Sequence, residues 1–455
     1  MEKSKTNIAV ISLGCSKNLV DAECMISLIR EDGYNLVKDI EDADAVVINT
    51  CGFIESAKKE AIDTILFCAD IKNSDARLKY IVVSGCLSQR YSTDISSDLP
   101  EVDAILGTAH YSDICNVLNE LFSMNKNEDE APICVVSESG SLDHLTKNKE
   151  VSTESFAWIK IGEGCLHKCA FCAIPLIRGK FQSRKIEDIV EEAKLLASKG
   201  FKEIILAAQD TTNYGIELYK ERALVRLLRE LSAIDGIEII RVMYGYLDGI
   251  TDELIEEVAT NPKAAHYFDI PVQHGCNRIL KAMNRFDTEE AITSALDRIR
   301  TRIPDAIIRT TVMVGFPGET EEDFETLKKN LRKWRFDRLG CFMFSPEEGT
   351  KAFDMPDQVP EDVKQKRYDD IYELQRTISA ENNKRRLGQE TIVTIDSISE
   401  DGIFYKGRSY GEAPEEDPVI YVLVPEGESG ELEIGKRYPV RLVDCSDYDM
   451  TGVVI

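Results

Sequence analysis

From Phe156 onward, short runs of apolar, often β-branched residues alternate six times with segments of helical periodicity. The runs are AWIKIG, EIILAAQ, IEIIRVMY, AHYFDIPVQ, AIIRTTVMVG and LGCFMF. Residues 186–198 illustrate the segments between them, because apolar residues recur on one helix face and Gly200 follows as a stop signal. Apolar strands that alternate with amphipathic helices predict a parallel sheet covered by helices. Six units predict a partial (βα)6 TIM-like barrel, which is two units short of the complete form.

The regions on either side of this barrel have different patterns. Residues 1–125 also alternate strands with helices (NIAVISL, AVVINT and YIVVSG are the strands), which predicts an open α/β domain. A polar tract over residues 126–155 is interpreted as a linker, or as edge structure, before the barrel of residues 156–384. Residues 385–455 contain short strand-like runs separated by Gly, Pro and Asp, which is typical of a small all-β barrel. The chain is therefore predicted to be an α/β protein of three domains.

Charge and cysteine content restrict the class of function. The formal net charge of -26 argues against non-specific nucleic-acid binding, so we expect that direct RNA contact does not dominate any interaction. Thirteen cysteines in a chain of this size indicate metal or redox chemistry in a reducing cytoplasm rather than a disulfide framework. No apolar run reaches the roughly 18 residues of a membrane span. The apolar run Ile8–Leu13 is shorter than a signal-peptide core of about 7–15 residues, which favours a strand.

Three cysteines, Cys165, Cys169 and Cys172, lie within eight residues directly after the first predicted barrel strand. The carboxyl ends of barrel strands carry active sites in such folds. Three thiolates at this spacing can hold three corners of a four-iron cluster, and one iron then stays open to a chelating ligand. A zinc site completed by His167 or by a remote ligand is the alternative.

A second group of cysteines is dispersed in sequence but shares one position in the fold. Cys15, Cys51 and Cys86 each follow a predicted strand, in SLGC, NTC and SGC. The loops at the carboxyl ends of parallel strands meet at one edge of the sheet, so we expect these thiols to converge. The pattern alone leaves open a second cluster or three buried structural cysteines. Cysteines within helical patterns are predicted to be core thiols: Cys24, Cys68 and Cys115.

The spacing Cys165-x3-Cys169-x2-Cys172, with Phe171 before the last cysteine, resembles the radical S-adenosylmethionine superfamily. That resemblance implies a 4Fe-4S cluster whose open iron is chelated by S-adenosylmethionine. Reductive cleavage of this cofactor yields a 5′-deoxyadenosyl radical. Further stretches resemble the radical methylthiotransferases over essentially the whole chain: SLGCSKNLVDAE, INTCGFIESAKKEAID, VVSGCLSQRY, RGKFQSR and FPGETEEDF.

The methylthiotransferase resemblance implies roles for the remaining parts of the chain. Cys15, Cys51 and Cys86 would bind an auxiliary 4Fe-4S cluster, and residues 385–455 would form a domain of the TRAM type. One S-adenosylmethionine would supply a methyl group to sulfur at the auxiliary cluster, and a second would supply the radical. A non-catalytic iron–sulfur protein that docks on ribosomes is the rival class, but such clusters normally have four protein ligands.

Two branches of the family are candidates, and the motifs favour the one that modifies an aspartate β-carbon on small-subunit ribosomal protein number twelve. The supporting stretches are SLGCSKNLVDAE, AAQDTTNYG, FSPEEGTKAFDMPDQVP and GRSYGEAPEED. The alternative is the branch that modifies an adenosine of transfer RNA. Residues 385–455 contain 15 acidic and 7 basic side chains, a net charge of -8, which suits a basic ribosomal protein better than RNA. The expected partners are that protein or the small ribosomal subunit, and a reductant such as flavodoxin.

Residues outside the cysteines are assigned mainly by resemblance. The implied cofactor contacts are Phe171, Gln209, Arg309, Val314 and Gly315, and no catalytic side chain is predicted beyond the cluster ligands. An ordinary strand-to-helix turn is the alternative for the glycine-containing stretch. His167 is interpreted as a solvated loop residue. Tyr244 and Phe344 stand where this branch usually has other residues, so changes at the substrate rim or the cofactor pocket are expected there.

Overall fold

A computed structural model of the chain describes residues 3–74, 76–124, 131–137, 141–145, 148–424 and 431–455. It contains an amino-terminal α/β lobe, a central partial barrel and a carboxyl-terminal β-barrel, so the predicted fold class is confirmed. Parts of the tract predicted as a linker, residues 126–130, 138–140 and 146–147, lie outside the described residues. No helix in the described part of the chain is long and apolar enough to cross a bilayer.

The amino-terminal lobe is a six-stranded parallel sheet with helices on both faces. Its strands are β1 (Asn7–Ser12), β2 (Asn35–Leu36), β3 (Ala45–Thr50), β4 (Tyr80–Gly85), β5 (Ala104–Leu106) and β6 (Ile133–Val135), in the order β2-β1-β3-β4-β5-β6. Its helices are α1 (Ser16–Glu31), α2 (Glu55–Lys72), α3 (Cys86–Asp98) and α4 (Ile114–Met124), with short 3-10 helices at Lys3–Lys5, Ile40–Asp42 and Tyr111–Asp113. The two central strands β3 and β4 are buried throughout, which explains why their sequences are continuously apolar up to the last residues.

The described part of the tract between the first two lobes contributes an edge strand and a buried contact between the lobes. Strand β6 comes from this tract and extends the sheet through parallel pairing with β5. Further along, Lys149 is fully buried beside the carboxylates of Glu23 and Glu192. A buried ammonium group needs anionic partners, and these two carboxylates come from different lobes. The tract therefore fastens the lobes together as well as connecting them.

The central lobe has six parallel strands in a partial barrel. In chain order its strands are β7 (Phe156–Lys160), the small hairpin β8 (Gly162–Glu163) and β9 (Gln182–Ser183), β10 (Glu203–Ala207), β11 (Ile239–Val242), β12 (Tyr267–Asp269), β13 (Ile307–Val314) and β14 (Arg338–Met343). The helices are α5 (Ile174–Ile177), α6 (Ile186–Ser198), α7 (Ile216–Tyr219), α8 (Leu224–Ser232), α9 (Asp252–Thr260), α10 (Asn277–Ala282), α11 (Glu289–Arg302), α12 (Glu321–Trp334) and α13 (Glu361–Arg386), with a 3-10 helix at Leu247–Gly249. The barrel order is β7 and β10–β14 in sequence, because a parallel bridge between Ile240 and Ala264 joins the two three-stranded halves.

Two faces of these strands have different partners. Side chains such as Ile204 and Leu206 pack outward against the helices, whereas Trp158, Ile205 and Met243 lie in a separate buried cluster. That second cluster also contains Val20 and Cys24 of α1 and Ala413 of the carboxyl-terminal lobe. An incomplete barrel leaves its interior uncovered on one side. Here the other two lobes fill it.

The carboxyl-terminal lobe is a closed five-stranded barrel. Its strands are β15 (Glu390–Ile398), β16 (Tyr405–Arg408), β17 (Ile420–Leu423), β18 (Arg437–Cys445) and β19 (Met450–Val454), in the order β15-β16-β17-β19-β18. Closure leaves no unpaired strand edge, and alternate residues such as Val393, Ile395 and Val422 form its small core. The loop between β16 and β17 reaches into the central lobe, where Arg241 donates hydrogen bonds to the carbonyl groups of Ser409 and Tyr410.

Candidate active site between two groups of cysteines

The first group of cysteines lies in the loop between the β8 strand and α5. Cys165, Cys169 and Cys172 are free, half-buried thiols. Gly164 precedes them at a φ of +73°, and a Cβ at that position would lie 2.4 Å from the Lys180 carbonyl oxygen. Only glycine allows this turn, so Gly164 sets the direction of the chain immediately before Cys165.

Burial controls the chemistry of these thiols. It raises the pKa of Cys165 to about 12 and, with Cys169 as a neighbour, the pKa of Cys172 to about 12. Metal ligands must be thiolates, so a positively charged partner has to replace the protons. Among the described residues no three His, Cys, Asp or Glu side chains surround a single-ion position. A four-iron cluster does not need ligands around a single ion, because each of its thiolates binds a different iron. Three thiols on one short loop can meet this condition.

Aromatic and polar side chains pack directly beside this loop. The His167 ring stacks on Tyr246 with centroids 3.4 Å apart, and its Nε2 lies 2.8 Å from the Asp210 carboxylate. The Tyr246 hydroxyl lies 4.0 Å from the Cys169 sulfur, and the guanidinium carbon of Arg285 lies 4.2 Å from the centre of the Tyr246 ring. The sequence predicts that His167 is solvated, but the Asp210 carboxylate, which follows β10, and the Tyr246 ring hold it in place.

The second group of cysteines converges as predicted from the strand ends. Cys15 precedes α1, Cys51 follows β3, and Cys86 is the first residue of α3. A Cβ on Gly14, whose φ is +88°, would lie 2.7 Å from the Cys51 Cβ, so the first two loops touch. Burial and the neighbouring Cys86 raise the pKa of Cys51 to about 12. These thiols also need a cationic partner to become thiolates, as the first group does.

Asn18 fastens the loops of the second group. This buried side chain donates hydrogen bonds to the carbonyl groups of Leu13 and Thr50, at 3.0 and 2.9 Å. Those residues lie within two positions of Cys15 and Cys51. The spacing of the two thiols is consequently fixed by side-chain hydrogen bonds as well as by the sheet.

A buried arginine contacts both lobes beside the second group. Arg178 follows α5, and its side chain is only 2% exposed. Its guanidinium donates to Asp21 at 2.8 Å, to Glu163 at 3.0 Å, to the Asn18 amide oxygen and to the Cys86 sulfur at 3.1 Å. One planar side chain thus contacts both lobes and one thiol of the second group.

The carboxylates around Arg178 are ionised and fully buried. Burial opposes ionisation of Asp21, but Lys160 and Arg178 outweigh it and hold the pKa of that carboxyl well below its usual value. Lys160 donates to Asp21 at 2.7 Å and also pairs with Glu163. His144 Nε2, from the tract between the lobes, lies 2.7 Å from Asp21. Buried charges in such a group are mutually dependent, because each one is paired only while the others remain.

The predicted cofactor contacts fall in different surroundings. Phe171 packs beside Phe316 and Phe344, and Gln209 donates a hydrogen bond to Glu163, so both lie next to the first cysteine loop or its charged neighbours. The Val314 side chain faces the helix-covered core. Their role as cofactor contacts stays a prediction.

Arg309 and Gly315 have partners from the carboxyl-terminal part of the chain. Arg309 pairs with Asp269 at 3.3 Å and with Glu416 at 2.7 Å. Gly315 has a φ of +75°, and a Cβ there would lie 2.3 Å from the Lys364 side chain of α13. The glycine is therefore required by close helix packing, whatever else its backbone contacts.

Several residues of this site were not predicted from the sequence: Asn18, Asp21, Lys160, Glu163 and Arg178. One signal was available. Lys160 ends an otherwise apolar strand, and a lysine in a buried strand requires a carboxylate nearby. Its partner Glu163 is three residues further along, but the second carboxylate is 139 residues away in sequence, which no local pattern reveals.

Comparison with known proteins agrees with this architecture. The radical SAM superfamily model matches residues 159–331, the model of the uncharacterized protein family UPF0004 matches residues 7–107, and the TRAM domain model matches residues 387–455. The radical S-adenosylmethionine methyltransferase TsrM from Kitasatospora setae shares the fold, with a TM-score of 0.57 at 13% identity over 76% of this chain and 77% of its own. The cobalamin-dependent S-adenosylmethionine radical enzyme OxsB has a TM-score of 0.54 at 14% identity, over 87% and 62% of the two chains.

The fold and the site define an enzyme of the radical S-adenosylmethionine class, which uses a 4Fe-4S cluster and S-adenosylmethionine. Proteins named ribosomal protein uS12 methylthiotransferase RimO are similar along their whole length. The Acetivibrio thermocellus protein is 45% identical over 99% of both chains, that of Caldicellulosiruptor saccharolyticus 46% over 98% of this chain and 99% of its own, and that of Geobacter sulfurreducens 42% over 100% of both. This chain belongs to the RimO family of methylthiotransferases.

Proposed function

We propose that this enzyme transfers a methylthio group to the β-carbon of an aspartate in ribosomal protein uS12. The observation that carries the proposal is that the two cysteine-bearing loops meet: Cys86 of the second group packs against Ala173 and Ile177, which follow Cys172 of the first group. The buried side chain of Arg178 contacts both lobes at this point. Cys165, Cys169 and Cys172 would hold the cluster that binds S-adenosylmethionine. Cys15, Cys51 and Cys86 would hold a second, auxiliary 4Fe-4S cluster.

The bound cofactors supply a radical that removes hydrogen from an unactivated C–H bond and a methylated sulfur that replaces it. The chain itself supplies position. The charged residues around Arg178 fasten the two lobes together where their cysteine loops meet, so a substrate carbon held between the loops would meet both reactive centres. Burial raises the pKa of the Cys86 thiol, and the same guanidinium, which donates to the Cys86 sulfur, opposes that rise.

A cation beside the second group suits an aspartate substrate. The Lys17 ammonium lies 3.2 Å from the centre of the Tyr244 ring, two residues after Cys15. Among the described residues no carboxylate lies within ion-pair distance of it, and Glu416 bonds to the Tyr244 hydroxyl instead. Arg309, in contrast, already has carboxylate partners. Lys17 is thus the cation at this position that can pair with the carboxylate of the target aspartate.

Replacing Lys17 with Met is expected to lower kcat/KM for uS12 methylthiolation by about thirtyfold or more, because loss of one member of a buried charge pair costs about 2 kcal/mol or more. Iron content and uncoupled S-adenosylmethionine cleavage should be unchanged. Lys59→Met, on the exposed surface of α2, is the matched control and should leave kcat/KM unaltered. Equal kcat/KM for Lys17→Met and the control would contradict the assignment.

The function is tested directly with reconstituted, reduced enzyme and two substrates. Purified small ribosomal subunits should yield uS12 that carries a methylthio group on one aspartate by tandem mass spectrometry. Transfer RNA should remain unmodified, in agreement with the net charge of -8 on residues 385–455, which disfavours phosphate contacts. A methylthiolated adenosine and an unmodified uS12 would overturn the proposal in favour of the transfer-RNA branch.

A further inference from the structure

The cysteine loop of the first group is the middle one of three hydrogen-bonded segments. The Ala170 amide donates to the Met283 carbonyl at 2.8 Å, and the Ala170 carbonyl accepts from the Ala352 amide at 2.8 Å. The Asn284 side chain also donates to the Lys168 carbonyl at 2.6 Å. These bonds place the segments around residues 281–287 and 349–353 on either side of the loop.

Each of the three segments carries an exposed lysine close to these bonds. We call Lys168, Lys281 and Lys351 the lysine face. Each lies one or two residues before the bonded position of its own segment, and within the described part of the chain none of them forms an ion pair. The nearby carboxylates of Asp323 and Asp287 are already paired with Arg278 and Arg285. Glu348 and Asp354 are the acidic residues that flank the segment of Lys351 in sequence.

Exposed apolar side chains accompany the lysine face. Phe286 is 88% exposed, Leu166 49% and Phe353 41%. The chain has a net charge of -26, so most of its surface is expected to be acidic. A surface that combines unpaired cations with exposed apolar groups therefore differs from the rest. Such a combination, an apolar anchor with surrounding charge of one sign, is typical of a transient protein-binding surface.

The two ends of the cysteine loop have different environments. Beyond Cys172, Ala173 and Ile177 are buried against Cys86 of the second group. At the other end, Leu166 and Lys168 alternate with the first two cysteines and are exposed. The lysine face is therefore the outer surface of the loop. A protein bound to it would reach the first group without occupying the space between the two groups.

We propose that the lysine face, with Phe286 as its apolar anchor, docks an acidic protein that carries one electron at low potential. This inference rests on the proposed function only in that the first group of cysteines holds a reducible cluster. The carrier would lose one electron to the cluster that Cys165, Cys169 and Cys172 would hold. Reductive cleavage of one C–S bond of the sulfonium would consume that electron, so the exchange balances. Opposite charge steers the encounter and suits a small, short-lived interface.

The inference is tested with a purified acidic flavodoxin as the probe. The triple variant K168E/K281E/K351E is compared with K194E/K329E/K384E, which reverses three exposed lysines elsewhere. At low ionic strength the first triple should weaken flavodoxin binding by about tenfold or more, measured by calorimetry, and the second by less than about twofold. Phe286→Ser should weaken binding in a way that does not depend on salt.

Reductant exchange separates this inference from the proposed function. With flavodoxin, the rate of 5′-deoxyadenosine formation should fall in K168E/K281E/K351E, whereas with sodium dithionite it should equal that of the unaltered enzyme. Equal flavodoxin affinity in both triple variants would overturn the inference. Binding is measured without turnover, so it decides the matter even if uS12 proves not to be the substrate.

Discussion

Arg178→Met is expected to lower the free energy of unfolding of the cluster-free enzyme by about 3–5 kcal/mol, the range for removal of one partner from a buried ion pair. The substitution leaves Asp21 and Glu163 buried with Lys160 as their remaining close cation, and it removes a hydrogen bond from Cys86. Trp158, one of only two tryptophans, lies in the apolar cluster shared by the three lobes, so its fluorescence reports the affected region during urea denaturation.

Two further variants make that result specific. Arg298→Met removes an ion pair with Asp252 that is largely exposed, and a cost below about 1 kcal/mol is expected. Arg178→Lys keeps the charge but loses the planar fork that contacts several acceptors at once, so an intermediate cost is expected. A loss for Arg178→Met no larger than that for Arg298→Met would show that the buried group does not hold the lobes together.

Substitutions in the two groups of cysteines should separate the two halves of the reaction. Cys169→Ala is expected to abolish both S-adenosylmethionine cleavage and methylthiolation, because the proposal makes Cys169 a ligand of the cluster that binds the cofactor. Cys51→Ala should retain cleavage and lose methylthiolation. Iron should fall from about eight atoms per chain to about four in either variant, since the proposal assigns one four-iron cluster to each group. Cys134→Ala, at an exposed free thiol of β6, is the control.

The readouts are 5′-deoxyadenosine by chromatography, methylthiolated uS12 by mass spectrometry and iron by colorimetry. Cleavage at the normal rate in Cys169→Ala would contradict the assignment of the first group. A normal methylthiolation rate in Cys51→Ala, with about eight iron atoms retained, would contradict that of the second group.

Local patterns predicted most of the architecture. The α6 bounds of Ile186–Ser198 agree with the sequence because helical periodicity and Gly200 indicate the same end. The convergence of Cys15, Cys51 and Cys86 followed from a general property of parallel sheets, whose carboxyl-end loops meet at one edge. Both inferences needed only short-range information and one topological rule.

The charged residues between the lobes were not predictable in this way. Arg178 and Asp21 are 157 residues apart, and no periodicity relates them. One partner of Arg309, Glu416, comes from a loop more than a hundred residues further along the chain. His167 was interpreted as solvated because the sequence does not show that Asp210 and Tyr246 approach it. These contacts depend on how three lobes dock, which local preferences do not specify.

The loop between β16 and β17 places Ala413 in the apolar cluster inside the central barrel, while Glu416 reaches both Arg309 and the Tyr244 hydroxyl. The carboxyl-terminal lobe is consequently not an interchangeable module. Truncation before residue 385 would expose the interior of the catalytic lobe, and a chimaera with a relative's final lobe would need matching inward-facing residues on the strands that receive this loop.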